Sequence, residues 1–153
     1  MSAGGVLRPW RRPRWLLAGW LLLIAGVVVG SLLPSSALPV PSFTGIDKVE
    51  HLGAYALLSA YAVLLFAPAR VHALAAFGLV ALGISLEGAQ SALTASRLAD
   101  PADMVANTLG VAVGWGAGRV LAARWQPWRA ARSTAATRDA RSAPAAPVPP
   151  GRR

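Results

Sequence analysis

The chain contains no cysteine. Disulfides, thiolate metal sites and a cysteine nucleophile are therefore excluded. Charge is scarce too. Only 14% of the 153 residues are charged, whereas a soluble domain carries about 25%. There is no HExxH motif and no paired-histidine spacing, so no metal site is expected. Ser91, Thr94 and Ser96 lack a nucleophile elbow around them. Residues 56–86 and 108–118 hold only Arg70, beside His72, as a charge-bearing position. A proton or ion path needs charged groups near the middle of a bilayer, so transport is disfavoured.

What the chain has in abundance is apolar sequence: 55% hydrophobic residues and a mean hydropathy of +0.49. Trp15–Leu33 is an uncharged run of roughly 19 residues, enough to cross a hydrocarbon core about 30 Å thick. Further apolar segments cover about 49–67, 71–90 and 102–123. The expectation is an all-α polytopic membrane protein, a four-transmembrane-helix bundle over residues 15–123. Four such spans leave little chain for a second compact unit.

The flanks follow from composition. Residues 1–14 form a basic leader with Arg8, Arg11, Arg12 and Arg14. A cleaved signal peptide ending at Ala37 is the rival reading, but its apolar region normally runs about 7–15 residues. A retained helix is expected. Pro34, Pro39 and Pro41 forbid a regular helix in the next segment. Gly26 and Gly30 make a GxxxG pair that would let another helix approach, within the bundle or in a helix–helix oligomer. Residues 124–153 are basic and rich in alanine and proline, and a disordered tail is expected.

The net charge is +9. Its bases flank apolar runs, so topology explains them better than nucleic-acid binding does. Arginines gather in the leader, at Arg70, and at Arg119, Arg124, Arg129 and Arg132. The opposite side has only Lys48 and Arg97 near the spans. The positive-inside rule puts both termini in the cytoplasm, N-in and C-in.

Span parity then brings three polar sets to the outer end. Asp47, Lys48, Glu50 and His51 open the second span. Glu87 and Gln90 close the third. Asp100, Asp103 and Asn107 open the fourth, with Arg97 in the turn before it. Asp100 suits the N-cap position and Pro101 the first turn. Asp47, Glu50 and His51 share a helix face, and Tyr55 continues it one turn deeper. Asn107 shares a face with Gly110, Gly114 and Gly118, which gives a smooth surface for close packing.

Polar groups at a membrane boundary are functional candidates. The candidate binding residues are Asp47, Lys48, His51, Glu87, Gln90, Arg97, Asp103 and Asn107. Three readings stay open. The cluster binds a polar envelope component, with Lys48 and Arg97 contacting phosphates or carboxylates. Or it is an intramembrane enzyme acting on a lipid-linked substrate, with Glu87 or Asp103 as acid or base and His51 tuning it. Or it only packs helices, with Lys48 neutralised by Asp47 or Glu50, and Arg97 by Glu87 or Asp103. No cofactor is expected, and membrane lipid is the expected surrounding partner.

In these positions the chain resembles the VanZ-like family of bacterial membrane proteins. The likeness covers roughly Asp47–Gly114. It is carried by Asp47-Lys48-x-x-His51 with Tyr55 and Leu58 beyond, then Glu87-x-x-Gln90, Arg97, Asp103-x-x-x-Asn107 and Gly110-x-x-x-Gly114. The resemblance implies a small multi-pass protein of the bacterial cytoplasmic membrane. The family is associated with resistance to teicoplanin-type glycopeptides. It brings no settled catalytic activity, and it marks a polar signature without assigning roles.

Overall fold

The computed structural model describes residues 5–33, 45–93 and 100–142, with side chains to Trp125. The described chain is all-helical. It runs α1 (Pro13–Leu32), α2 (Ile46–Leu65), α3 (Ala69–Leu93) and α4 (Pro101–Ser142). The proline-rich segment after α1, apart from Gly45, and Arg97 with its loop lie outside the described residues.

Proline chemistry sets most of the boundaries. Pro13 opens α1, where a missing N–H costs nothing. Leu33 turns extended at φ −68°, ψ 141°, as a residue before proline must. Phe66 likewise leaves α2 in an extended conformation, one residue ahead of the Ala67-Pro68 turn. Pro101 opens α4, and the Asp100 carboxylate accepts the Ala102 N–H at 2.8 Å. That is the N-cap expected from the sequence. α2 starts earlier than expected, at Ile46, with Gly45 at its N-cap in the left-handed region (φ 88°).

Among the described residues, two helices are long and apolar enough to cross a membrane: Pro13–Leu32, and α3 over Ala69–Ala92. α2 and α4 carry the polar first turns, which lowers their hydropathy. α2 is the centre of the packing. It buries Tyr55, Leu58, Ser59, Ala62, Val63 and Leu65, while α1 buries no residue fully. Tyr55 and Leu58 pack with Leu79 of α3 and Val111 of α4. Trp20 of α1 joins this cluster to a second around Ala62, Leu65 and Phe66. Its indole donates to the Leu58 carbonyl at 3.0 Å and meets the Phe66 ring edge-on at 5.6 Å.

The glycine face of α4 does what its spacing predicts. A side chain at Gly110 would strike the Leu52 backbone, and one at Gly114 would strike the backbone of Ala56. α2 and α4 are therefore in backbone contact. The α1 pair behaves differently. Gly26 and Gly30 have no described atom within 4 Å of an added Cβ, so that GxxxG motif docks no helix among the described residues.

The leader has a structural role that composition did not reveal. Arg8 and Trp10 seal the C-terminal end of α2. The Arg8 Nε donates to the carbonyls of Val63 (3.2 Å) and Phe66 (2.9 Å). The Arg8 backbone N–H takes the Leu65 carbonyl at 2.9 Å, and the Trp10 indole takes that of Leu64 at 2.8 Å. The last carbonyls of a helix have no partner within it, and here the leader supplies one to each. His72 adds a bond from Nε2 to the Phe66 carbonyl at 2.9 Å and is buried, 8% exposed. His72 is thus part of this seal.

The sequence reading ends α4 near Ala123 and expects an unstructured tail beyond it. The backbone instead remains helical to Ser142. Alanine and arginine, frequent over 124–142, are good helix formers and account for this. The chain divides into two units, 1–122 and 123–153, and everything below concerns the first.

Candidate functional site

Three helix ends build the site. At the first turn of α2, Lys48 extends its ammonium toward α4. It donates to Asp100 Oδ2 at 2.7 Å, to Asp103 Oδ1 at 2.9 Å and to Asp47 Oδ2 at 2.9 Å. An ammonium has three N–H donors, and here each meets a carboxylate. Carboxylate oxygens of the three aspartates lie within 4.8 Å of one another, which is tolerable because a positive charge sits among them. The bond to Asp100, then those to Asp103 and Asp47, raise the Lys48 pKa above its ordinary value. The same ammonium holds the Asp47 and Asp100 carboxyls below the usual carboxylate range.

At the end of α3, Glu87 is 2% exposed. Its Oε1 accepts the backbone N–H of Asp100 at 2.6 Å. In a capping box the third residue of the same helix takes the N-cap's N–H. Here another helix provides that carboxylate, so Glu87 fixes where α4 begins. Gln90, one turn on and 3% exposed, donates to the Ser31 carbonyl in the last turn of α1 at 2.7 Å.

α4 supplies Asp103 and, one turn deeper, Asn107. The His51 Nδ1 lies 3.0 Å from Asn107 Oδ1. Its Nε2 lies 3.9 Å from Asp103 Oδ2, too far for a hydrogen bond.

These groups surround a cavity of about 450 Å³. One wall is acidic: Asp47, Glu50, Glu87, Asp100 and Asp103. His51, Tyr55 and Gln90 add polar atoms, and Val27, Gly30, Ser31 and Ala54 form the rest. α1 thus closes the side that α2, α3 and α4 leave open. Among the described residues the lining holds no lysine or arginine.

The candidate residues therefore fall into three groups. Asp47, His51, Glu87, Gln90 and Asp103 line the cavity. Lys48 and Asn107 stand behind it, bonded to residues that do. Arg97 lies outside the described residues, and so do its expected pairings. The expected neutralisation of Lys48 by Asp47 is present. The three donors of Lys48, expected to contact ligand phosphates or carboxylates, are taken by three carboxylates of its own chain.

Sequence reasoning missed the α1 wall and Gly83. The first left no signal, since Val27, Gly30 and Ser31 look like any apolar span. Gly83 lies one turn before Glu87 on the same face of α3, a periodicity that could have singled it out.

Chemically, acceptors outnumber donors in the cavity. It suits hydroxyl, amide and ammonium donors, and it opposes phosphate or carboxylate. No protein-family model, no curated protein and no solved structure matches the chain.

Proposed function

We propose that this chain is a VanZ-like, four-span protein of the bacterial cytoplasmic membrane that binds or modulates a cell-envelope component in this cavity. Both termini lie in the cytoplasm, and the cavity opens at the outer face. The charge segregation along the sequence supports that orientation. The motif residues Asp47-Lys48-x-x-His51, Glu87-x-x-Gln90 and Asp103-x-x-x-Asn107 support the family. The observation that carries the function is the convergence of Asp47, His51, Glu87, Gln90 and Asp103, drawn from three helices, on a cavity whose remaining wall is mostly apolar. Such a cavity fits a head group rich in hydroxyls or amides that borders lipid. Glycosylated envelope intermediates have this chemistry, in line with the family's association with glycopeptide resistance.

The test compares wild type with Glu87→Gln and Asp103→Asn in a strain lacking the native protein. Membrane abundance, lipid-linked envelope intermediates and glycopeptide binding to cells are measured together. Glu87→Gln keeps an oxygen for the Asp100 N–H, so abundance should hold. A change in an intermediate or in binding at constant abundance is the expected result. If every phenotype falls only in step with abundance, the cluster packs helices and binds nothing.

One contact favours a second reading, an intramembrane enzyme on a lipid-linked substrate. His51 is held at one ring nitrogen by Asn107, while the other faces the carboxylate-lined cavity. That is how a general base is oriented. Under this reading, Glu87→Gln or His51→Gln abolishes turnover and leaves binding largely intact.

A further inference from the structure

We infer that Asn107 is a positioning residue: it fixes the His51 proton on Nδ1, turning Nε2 to the cavity as a hydrogen-bond acceptor, in space that Gly83 provides. A neutral imidazole has one nitrogen that donates and one that accepts. An amide oxygen only accepts. The 3.0 Å approach of His51 Nδ1 to Asn107 Oδ1 therefore requires the proton on Nδ1. Nε2 is left with a lone pair. Asp103 Oδ2 lies 3.9 Å from it, beyond hydrogen-bond reach, so it does not take up that nitrogen. The other charged or titratable groups here are Asp47, Lys48, Glu50 and Tyr55 of α2, Glu87 of α3 and Asp100 of α4. Lys48 is tied to three aspartates, so no described cation competes for the lone pair.

The amide itself is tightly held. Asn107 is 3% exposed. A Cβ at Gly83 would come within 3.0 Å of Asn107 Nδ2, 3.2 Å of its Cβ and 3.2 Å of the Tyr55 hydroxyl. An added methyl group at Gly83 would therefore press on both Asn107 and the Tyr55 hydroxyl. Gly83, Asn107 and His51 thus form a line across α3, α4 and α2. The ligand it serves is one presenting an O–H or N–H group, which extends the binding reading above.

The chain carries its own control. It has two histidines, and His72 faces a carbonyl through Nε2. His72 must hold its proton on Nε2, the opposite tautomer.

The experiment is ring ¹⁵N NMR of the full chain in lipid nanodiscs, at a pH where both rings are neutral, with His72→Gln to assign the signals. It uses no ligand, so it stands or falls separately from the proposed function. Wild type should show Nδ1–H for His51 and Nε2–H for His72. Asn107→Leu removes the acceptor and should move the His51 proton to Nε2. Asn107→Asp keeps an acceptor and should retain Nδ1–H. Gly83→Ala should lower the Nδ1–H share, with His72 unchanged throughout. An Nε2–H His51 in wild type overturns the inference, even if Asn107→Leu fails to fold. So does an Nδ1–H signal that survives in Asn107→Leu.

Discussion

Replacing Gly114 with alanine puts a methyl group onto the backbone of α2. The added carbon would lie 2.7 Å from both Cα and the carbonyl carbon of Ala56, with the carbonyl oxygen nearer still. Comfortable carbon contacts sit at about 3.5–4.0 Å, so the two helices must part by about 1 Å. No flexible side chain can absorb this, since the atoms struck are backbone. Overpacking of this kind costs about 1–3 kcal/mol. Gly116, two residues on, has nothing within 4 Å of an added Cβ. Alanine there should gain up to about 1 kcal/mol from helix propensity. Gly114→Ala makes the same propensity gain, so the contrast between the variants is the overpacking cost alone, about 1–3 kcal/mol. Equilibrium unfolding of both in one detergent, by circular dichroism against rising denaturant, measures it. Equal stability of the two variants would refute the backbone contact between α2 and α4.

Further consequences concern the polar ends. The Lys48 cluster should be stabilising from just above the ordinary aspartate value of 3.8 up to at least the ordinary lysine value of 10.5. The lowered Asp47 and Asp100 lose their contribution as pH falls through their folded values, and the raised Lys48 loses its own only above 10.5. Lys48→Met leaves three carboxylates facing one another. Its thermal stability should therefore fall as pH rises through the carboxylate range, opposite to wild type, and parallel profiles would sink the account. Arg8→Met removes the donors to two carbonyls of α2 and should cost about 1–3 kcal/mol. A thermal melt unchanged from wild type would show that the leader does not seal the helix.

Much of this arrangement was legible in the sequence, and the reasons are local. Pro101 after Asp100 announces a capped helix start, and the cap is there. Gly110, Gly114 and Gly118 recur at helical spacing, and Asn107 falls on the same face. Simple alternation of helix direction then brings Asp47, Glu87 and Asp103 to one end. What could not be read depends on which distant surfaces meet. Arg8 pairs with carbonyls 55 and 58 residues away, and backbone carbonyls leave no mark in a sequence. Lys48 has acids both beside it and far along the chain, so its choice of all three aspartates needed coordinates. Gly26 and Gly30 have the same spacing as the α4 glycines yet face open space, because small residues permit close packing without demanding it.

The seal on α2 also bears on the order in which the protein takes shape. A chain grows from its N-terminus, so Arg8 and Trp10 are made long before the helix end they cap. For that interval α1 exists without its partner, and the four closing carbonyls of α2 have yet to be synthesised. Only when Phe66 has emerged can the leader turn back and bond to it. The docking step joins this earlier-made segment to the end of α2. Translation stalled before residue 66 would leave a leader with nothing to hold, and stalled far enough beyond it for Phe66 to clear the ribosome, a leader able to close on α2.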